Sequence, residues 1–188
     1  MSSLRLSFVL LTVFYVDCGS QFFQTPNWGG NSGVNVTDFL GLHNSYRHMV
    51  RTGQVAGQPK AKSLPDLMWC DVLSRAAQRW AENCNFMHEP NSDYGENIAY
   101  GTDPNFNAVK AWFDEHQDYP FEPIGDNYGV YGHYTQMVWA NTFYLGCYRK
   151  FCPKITIGDT TVDRAYFSVC KYYPGGNYMG QYPYERAN

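Results

Sequence analysis

Gly132-His133-Tyr134-Thr135-Gln136-Met137-Val138-Trp139-Ala140-Asn141-Thr142 is the stretch whose reading decides the fold. Gly132 frees the backbone for a tight approach and lets His133 stand at the mouth of a cleft. Residues 134–139 read as a short helix, because Met137, Val138 and Trp139 are too apolar to be left in water. A histidine on the lip of such a segment is the first candidate for site chemistry, since its ring changes charge near neutral pH.

Far upstream, residues 1–20 read as an address rather than structure. Arg5 precedes an apolar run over 6–16 that is too short to span a bilayer, and Asp17-Cys18-Gly19-Ser20 suits a signal-peptidase cut before Gln21. No later stretch is apolar enough to span, so a secreted product without a transmembrane segment is expected. The remainder is long enough for one domain with a substantial core. The net charge of −3 comes with no basic patch to neutralise phosphates, which argues against nucleic acid. Aromatic residues are abundant, with 16 Tyr, 12 Phe and 5 Trp. They fit an aromatic core with a sticky surface, or an apolar ligand groove, and composition does not separate the two.

Of the six cysteines, Cys18 falls in the address segment, leaving Cys70, Cys84, Cys147, Cys152 and Cys170. Most should be paired in a secreted chain, and the odd number leaves one over. Spacing does not fix the connectivity, and no pair has zinc-finger spacing. Residues 21–36 are polar and glycine-rich, a flexible leader, with a glycosylation sequon at Asn35-Val36-Thr37.

The domain proper is expected over 37–188. Thr37 or Asp38 can cap a first helix carrying Phe39, Leu42 or His43, Tyr46 and Val50, which Thr52-Gly53 ends. His43 and Arg47 share one face of it and can bond neighbouring carbonyls or carboxylates. Residues 53–65 read as a solvated loop. Asp71 can cap a second helix with an apolar stripe of Leu73, Ala76, Ala77, Trp80, Ala81 and Cys84. If that helix continues, a Cys84 disulfide pins the base of the segment carrying His88. Residues 85–101 look irregular and hold Gly95-Glu96-Asn97, where a carboxylate beside glycine can point inward. Asp103-Pro104 suggests a third helix start, followed by Ala108, Val109, Trp112, Phe113 and His116 at helical spacing. Glu115 follows Trp112 by three, so the buried stripe holds it near the interior.

The loop over 117–131 carries Tyr119, Phe121, Tyr128 and Tyr131 among prolines and glycines. Such a loop has little regular structure with which to face four aromatics inward. Contact with an apolar ligand or a membrane surface is one reading, and packing over the cleft is the other. Residues 143–151 and 165–173 read as two strands, with Gly158-Asp159 at the turn of the loop between them.

Five segments together carry a family resemblance: GHYTQMVW with Thr142, His43-Asn44-Ser45-Tyr46-Arg47, Gly95-Glu96-Asn97, Trp112 to Glu115, and the tail from Tyr172 to Gln181. The chain resembles the CAP superfamily, which includes cysteine-rich secretory proteins, antigen 5 venom allergens and plant pathogenesis-related class 1 proteins. The tail departs from the family pattern at Ser168 and Lys171. The resemblance covers about 37–184 and implies an α+β fold, a three-layer α-β-α sandwich with a small antiparallel sheet. It implies disulfides Cys84–Cys152 and Cys147–Cys170, with Cys70 unpaired. With Asn188 the last residue, the family's Cys-rich hinge and channel-regulating module is expected to be absent.

The resemblance also places a cleft tetrad on His88, Glu96, Glu115 and His133. Two imidazoles near two carboxylates can hold a divalent metal such as zinc or magnesium on His88 and His133, place a general base on water, or hydrogen-bond one another. No cofactor is expected to be required. No HExxH or nucleophile elbow accompanies the tetrad, so binding is favoured over turnover. The leading expectation is a secreted lipid-binding module. Sterol would lie at the loop aromatics Tyr119, Phe121, Tyr128 and Tyr131, and a fatty acid between the helices at 37–51 and 104–116. The alternatives are an extracellular interaction or immunomodulatory factor that meets host or other extracellular proteins, and, last, a metal-dependent hydrolase.

Overall fold

Cys18 and residues 38–188 are described by a computed structural model of the chain. Residues 1–17 and 19–37, with the address segment apart from Cys18, the leader and the Asn35 sequon, lie outside the described residues. The first helix, α1, runs Phe39–Thr52; Asp38 Oδ1 accepts from the Gly41 amide at 2.9 Å, and Gly53 closes it at a φ of 75°. A two-residue strand, β1 (Met68–Trp69), precedes α2 (Asp71–Ala81). Strand β2 (Gly95–Gly101), helices α3 (Ala108–Asp114) and α4 (Gly132–Met137), and the long strands β3 (Tyr144–Ile157) and β4 (Thr160–Tyr173) complete the order.

The four strands form one sheet in the order β1-β3-β4-β2. β3, β4 and β2 pair antiparallel, and β1 adds a parallel edge, so the sheet is mixed. Successive residues of β4 serve opposite faces. Phe167 and Val169 pack with Ala77 and Ala81 of α2, whereas Cys170 and Tyr172 join the core built by α1, α3 and α4. Helices thus cover both faces of the sheet, the expected three layers. Gly146 lets α2 lie on β3: a Cβ there would meet the Ser74 nitrogen at 2.1 Å.

Several local expectations change. Helix α2 stops at Ala81, and Cys84 has a φ of 46°, so His88 stands on a loop rather than on a continued helix. Helix α3 begins at Ala108, capped by Asn107, because Asp103 spends its carboxylate on the Asn105 amide in a local turn. The segment read as irregular contains β2, whose pairing to β4 is long-range. The 143–151 and 165–173 strands extend until only Gly158 and Asp159 separate them.

Disulfides join Cys84 to Cys152 and Cys147 to Cys170, the latter at directly opposed positions of β3 and β4. Cys70 is not unpaired. It bonds Cys18, and no described cysteine is free. Counting Cys18 with the discarded segment is what left Cys70 over. A cut before Gln21 would remove its partner, so a chain that holds this bond retains Cys18. Intact-mass analysis of the secreted protein should accordingly show a chain that begins at or before Cys18. Thiol titration under denaturing, non-reducing conditions should find no free thiol, and one thiol with a mass starting at Gln21 would contradict the bond.

Candidate functional site

Helix α3 runs into a 3₁₀ turn, Glu115–Gln117, and its register is set by Trp112, which is buried and donates from Nε1 to the Ile98 carbonyl of β2. That places Glu115 against the first turn of α4. Its Oε2 accepts from the His133 and Tyr134 amides at 2.9 and 3.1 Å, and its Oε1 accepts from His133 Nδ1 at 2.6 Å. No residue of α4's own supplies a side-chain cap, so Glu115 satisfies amides that the short helix leaves over. The His133 ring stacks on Trp112, with centroids 6.0 Å apart. One carboxylate therefore fixes the ring, its tautomer and the helix that bears it.

A second pair forms at the end of β2. Gly95 approaches too closely for a side chain, since a Cβ would meet Gln136 Oε1 at 2.2 Å. The adjoining Glu96 is 5 % exposed and accepts from His88 Nδ1 at 2.6 Å and from the Glu89 amide at 3.1 Å. Its other oxygen lies 2.6 Å from Nζ of Lys171, which sits directly across on β4 and is fully buried. Burial alone would push the Glu96 carboxyl up. The His88 and Lys171 contacts outweigh it and hold the carboxyl below its ordinary range. His88 itself stays 63 % exposed.

Behind both pairs runs a buried network. His43 donates from Nδ1 to the Phe39 carbonyl at 2.6 Å, so the neutral ring accepts at Nε2 from the Tyr172 hydroxyl at 2.8 Å. The Tyr172 oxygen accepts from Asn97 Nδ2 at 3.0 Å, and the same amide group donates to the His133 carbonyl at 3.0 Å. Arg47, the other member of the helix-face pair, donates to the carbonyls of Pro65, Met137 and Trp139. Both residues therefore bond carbonyls, and neither lines the cleft.

His88, Glu96 and His133 line one cleft of about 490 Å³, with Glu115 bonded behind His133. The remaining wall includes Asn97, Gln136 and Asn177, which the sequence did not single out; Asn177 ties to Thr135 and to the Gly132 carbonyl. Among the described residues, no group of three or more His, Cys, Asp or Glu side chains is placed to share a metal ion. The donor set for a divalent ion is two imidazole Nε2 atoms. That falls one protein ligand short of a catalytic zinc site, and Lys171 already balances the carboxylates beside it. The residues present do not fit a tightly held metal.

The loop aromatics divide. Tyr119, Phe121 and Tyr131 are buried, and only Tyr128 is exposed. Tyr119 packs at tilted angles among Phe121, Tyr131 and Tyr134, while Phe121 meets Tyr182 and Tyr184 of the C-terminal tail. A loop without regular structure could turn them inward because that tail supplies the other wall. Between α1 and α3, where an acyl chain was expected, Tyr46 and Phe113 stack with centroids 3.9 Å apart. A larger groove of about 940 Å³ opens elsewhere, bounded by Phe121, Trp139, Phe143 and Tyr182, with Lys62 and Arg186 on its lining.

Comparison with known proteins agrees with this architecture. The model of the CAP, or cysteine-rich secretory protein, family matches residues 40–172, and the chain belongs to that family. It is 40 % identical over 161 residues to Scoloptoxin SSD552 of Scolopendra dehaani, covering 79 % of this chain and 72 % of the toxin. It is 37 % identical over 186 residues to Venom allergen 5.02 of Vespa crabro, covering 86 % and 88 %. Among solved structures it is similar to NaASP2 with Zn2+, at a TM-score of 0.67 and 32 % identity over 81 % of this chain and 86 % of that one.

The His43 network makes stability depend on pH. Burial pulls His43 from 6.5 down to about 4, so the folded state binds this proton less well than the unfolded one. Stability from this group is full above about pH 6.5 and is lost as pH falls toward 4, by roughly 3 kcal/mol in all. Urea unfolding at pH 7, 5.5 and 4.5 should show this decline in the native chain and a flatter one in His43→Gln. Parallel pH profiles for the two proteins would contradict the assignment.

Proposed function

We propose that this CAP protein acts outside the cell by binding an apolar lipid, a sterol or fatty acid, in the groove beside the C-terminal tail rather than by turnover in the cleft. The extracellular setting is supported by three disulfides in a chain this size. No helix among the described residues is long and apolar enough to cross a membrane.

The observation that carries the lipid reading is the groove itself. Its volume of about 940 Å³ suits a lipid-sized ligand, and Phe143 and Tyr182 on its walls remain 40 % and 48 % exposed. Exposed aromatics that line a concavity are costly to leave in water unless something covers them. Phe121 brings the 117–131 loop to this wall. Arg186, which lies over the Phe121 ring with its guanidinium carbon 4.6 Å from the centroid, offers a cation to an acyl carboxylate. A sterol would use the aromatic wall alone. The cleft tetrad of His88, Glu96, Glu115 and His133 serves in this reading as a rigid polar site held by its own hydrogen bonds.

One feature favours the second reading, an interaction factor that works through its surface. On the β3–β4 hairpin, Arg149 lies over Tyr166 and Arg164 over Phe151, a cation–aromatic row of the composition that protein interfaces prefer. The Phe143→Ala/Tyr182→Ala double variant separates the two. It should keep its melting temperature and bind a fluorescent sterol and a fluorescent fatty acid at least tenfold more weakly, and Arg186→Gln should weaken only the acid. Phe121→Ala is a poorer probe, because truncating that buried ring costs about 3 kcal/mol or more. Undiminished uptake of both lipids by the double variant would remove the groove as the site and leave the surface reading.

A further inference from the structure

Lys171 is the least expected residue of the cleft wall. It is a fully buried ammonium on β4, where its ion-pair partners come from two other segments. Nζ lies 2.5 Å from Glu89 Oε2, 3.2 Å from Ser92 Oγ and 2.6 Å from Glu96 Oε2. The ammonium thus hydrogen-bonds two oxygens of the 82–94 loop and forms an ion pair with one from β2. A buried cation is tolerated only when paired in this way, and Glu96, 5 % exposed, needs it more than the partly exposed Glu89. The loop that carries His88 is consequently fastened to the sheet through Lys171 as well as through the Glu96 contacts to His88 and to the Glu89 amide.

This arrangement answers a question of charge. With neutral imidazoles, Glu89 and Glu96 would leave two negative charges at the His88 end of the cleft. That is the environment in which an imidazole binds a divalent cation well, because the carboxylate behind the ring raises its basicity. Lys171 cancels one of those charges at contact distance from the very carboxylate that orients His88. It also sets a fixed positive charge against the carboxylate behind that ring, which opposes a second cation on the same arm.

We infer that Lys171 is a resident cation: it supplies in this chain the positive charge a divalent metal would bring to the His88–Glu96 arm, so that the cleft is assembled without metal and resists taking one up. Lys171 is a positioning residue, acting through Glu96 and Glu89 on His88. The inference concerns the cleft and stands whether or not the groove binds lipid.

Zinc titration by calorimetry tests it, with zinc chloride alone as the probe in a non-coordinating buffer. The native chain should bind weakly, with half-saturation no tighter than tens of micromolar. Lys171→Gln should bind at least tenfold more tightly, Lys171→Arg should restore the native weakness, and Lys171→Gln/His88→Ala should lose the gain. Tight zinc binding by the native chain that Lys171→Gln leaves unchanged would overturn the proposal, as would a gain that survives loss of His88. Should Lys171→Gln fail to fold, the native protein decides by hydrogen exchange. Amides over 88–96 should be equally protected with chelator and with zinc, and chelator-induced loosening of that segment would sink the idea.

Discussion

The buried guanidinium of Arg47 is the interaction on which the remaining geometry hangs. It donates from Nε to the Pro65 carbonyl at 2.8 Å and from Nη1 to Met137 and Trp139 at 2.9 and 3.0 Å. Its outer nitrogen reaches toward the Thr142 carbonyl. The Met137, Trp139 and Thr142 carbonyls belong to the end of α4 and the turn after it, where helical partners run out. Burial lowers the Arg47 pKa to about 9, which still leaves it charged at neutral pH. A lysine could not serve all of these acceptors, because it offers one compact ammonium in place of a planar fork. Arg47 thereby fixes the end of α4 to α1, and the start of α4 bears His133. The motif on the first helix and the motif around His133 are two halves of one hydrogen-bonded joint.

From that joint the cleft is built by layers meeting at the end of the sheet. Glu115 comes from the helical layer and holds both the His133 ring and the α4 amides. Glu96 comes from β2, on the face that α2 covers, and holds His88 with Lys171 behind it. Asn97, one residue on and therefore on the opposite face, reaches the His133 carbonyl and Tyr172. The alternation of a single strand thus sends consecutive residues to the two sides of the cleft. That explains why Gly95, Glu96 and Asn97 act as a unit: the glycine lets the strand approach Gln136, and each of its successors serves one side.

Much of this was legible in the sequence, for physical reasons that vary by element. The stripe Leu73, Ala76, Ala77 and Ala81, the cap at Asp38 and the stop at Gly53 are local, and they formed where periodicity and capping place them. The strands of the hairpin were read too short, because pairing stabilises residues such as Lys154 and Asp163 that have little strand preference of their own. β2 was missed because its partner lies some seventy residues away, a separation that no window of periodicity spans. Phe121 escaped for a similar reason, since the tail rings it meets are also distant in sequence, and Tyr119 turns inward with it against Tyr131 and Tyr134. Lys171 was visible only as a departure from the family pattern. Only the fold shows that two glutamates meet it there.

The C-terminal tail connects the two candidate surfaces. Asn177 and Gly176 wall the cleft, the amide of Gly176 bonding Gln136 Oε1 at 2.8 Å. A few residues on, Gly180 to Arg186 wall the groove, pinned by Ile124 exchanging backbone bonds with Gly180 and Gln181 and by Ala140 donating to Pro183. Trp139 stands between, lining the groove while its ring meets Tyr178 at 6.0 Å. Its carbonyl is one of those held by Arg47. Trp139 of the decisive stretch therefore belongs at once to the joint and to the groove, and touches the tail that closes the cleft. A ligand pressed against Trp139 would meet a wall braced by a buried charge, and rigidity of that kind reduces the ordering cost of binding.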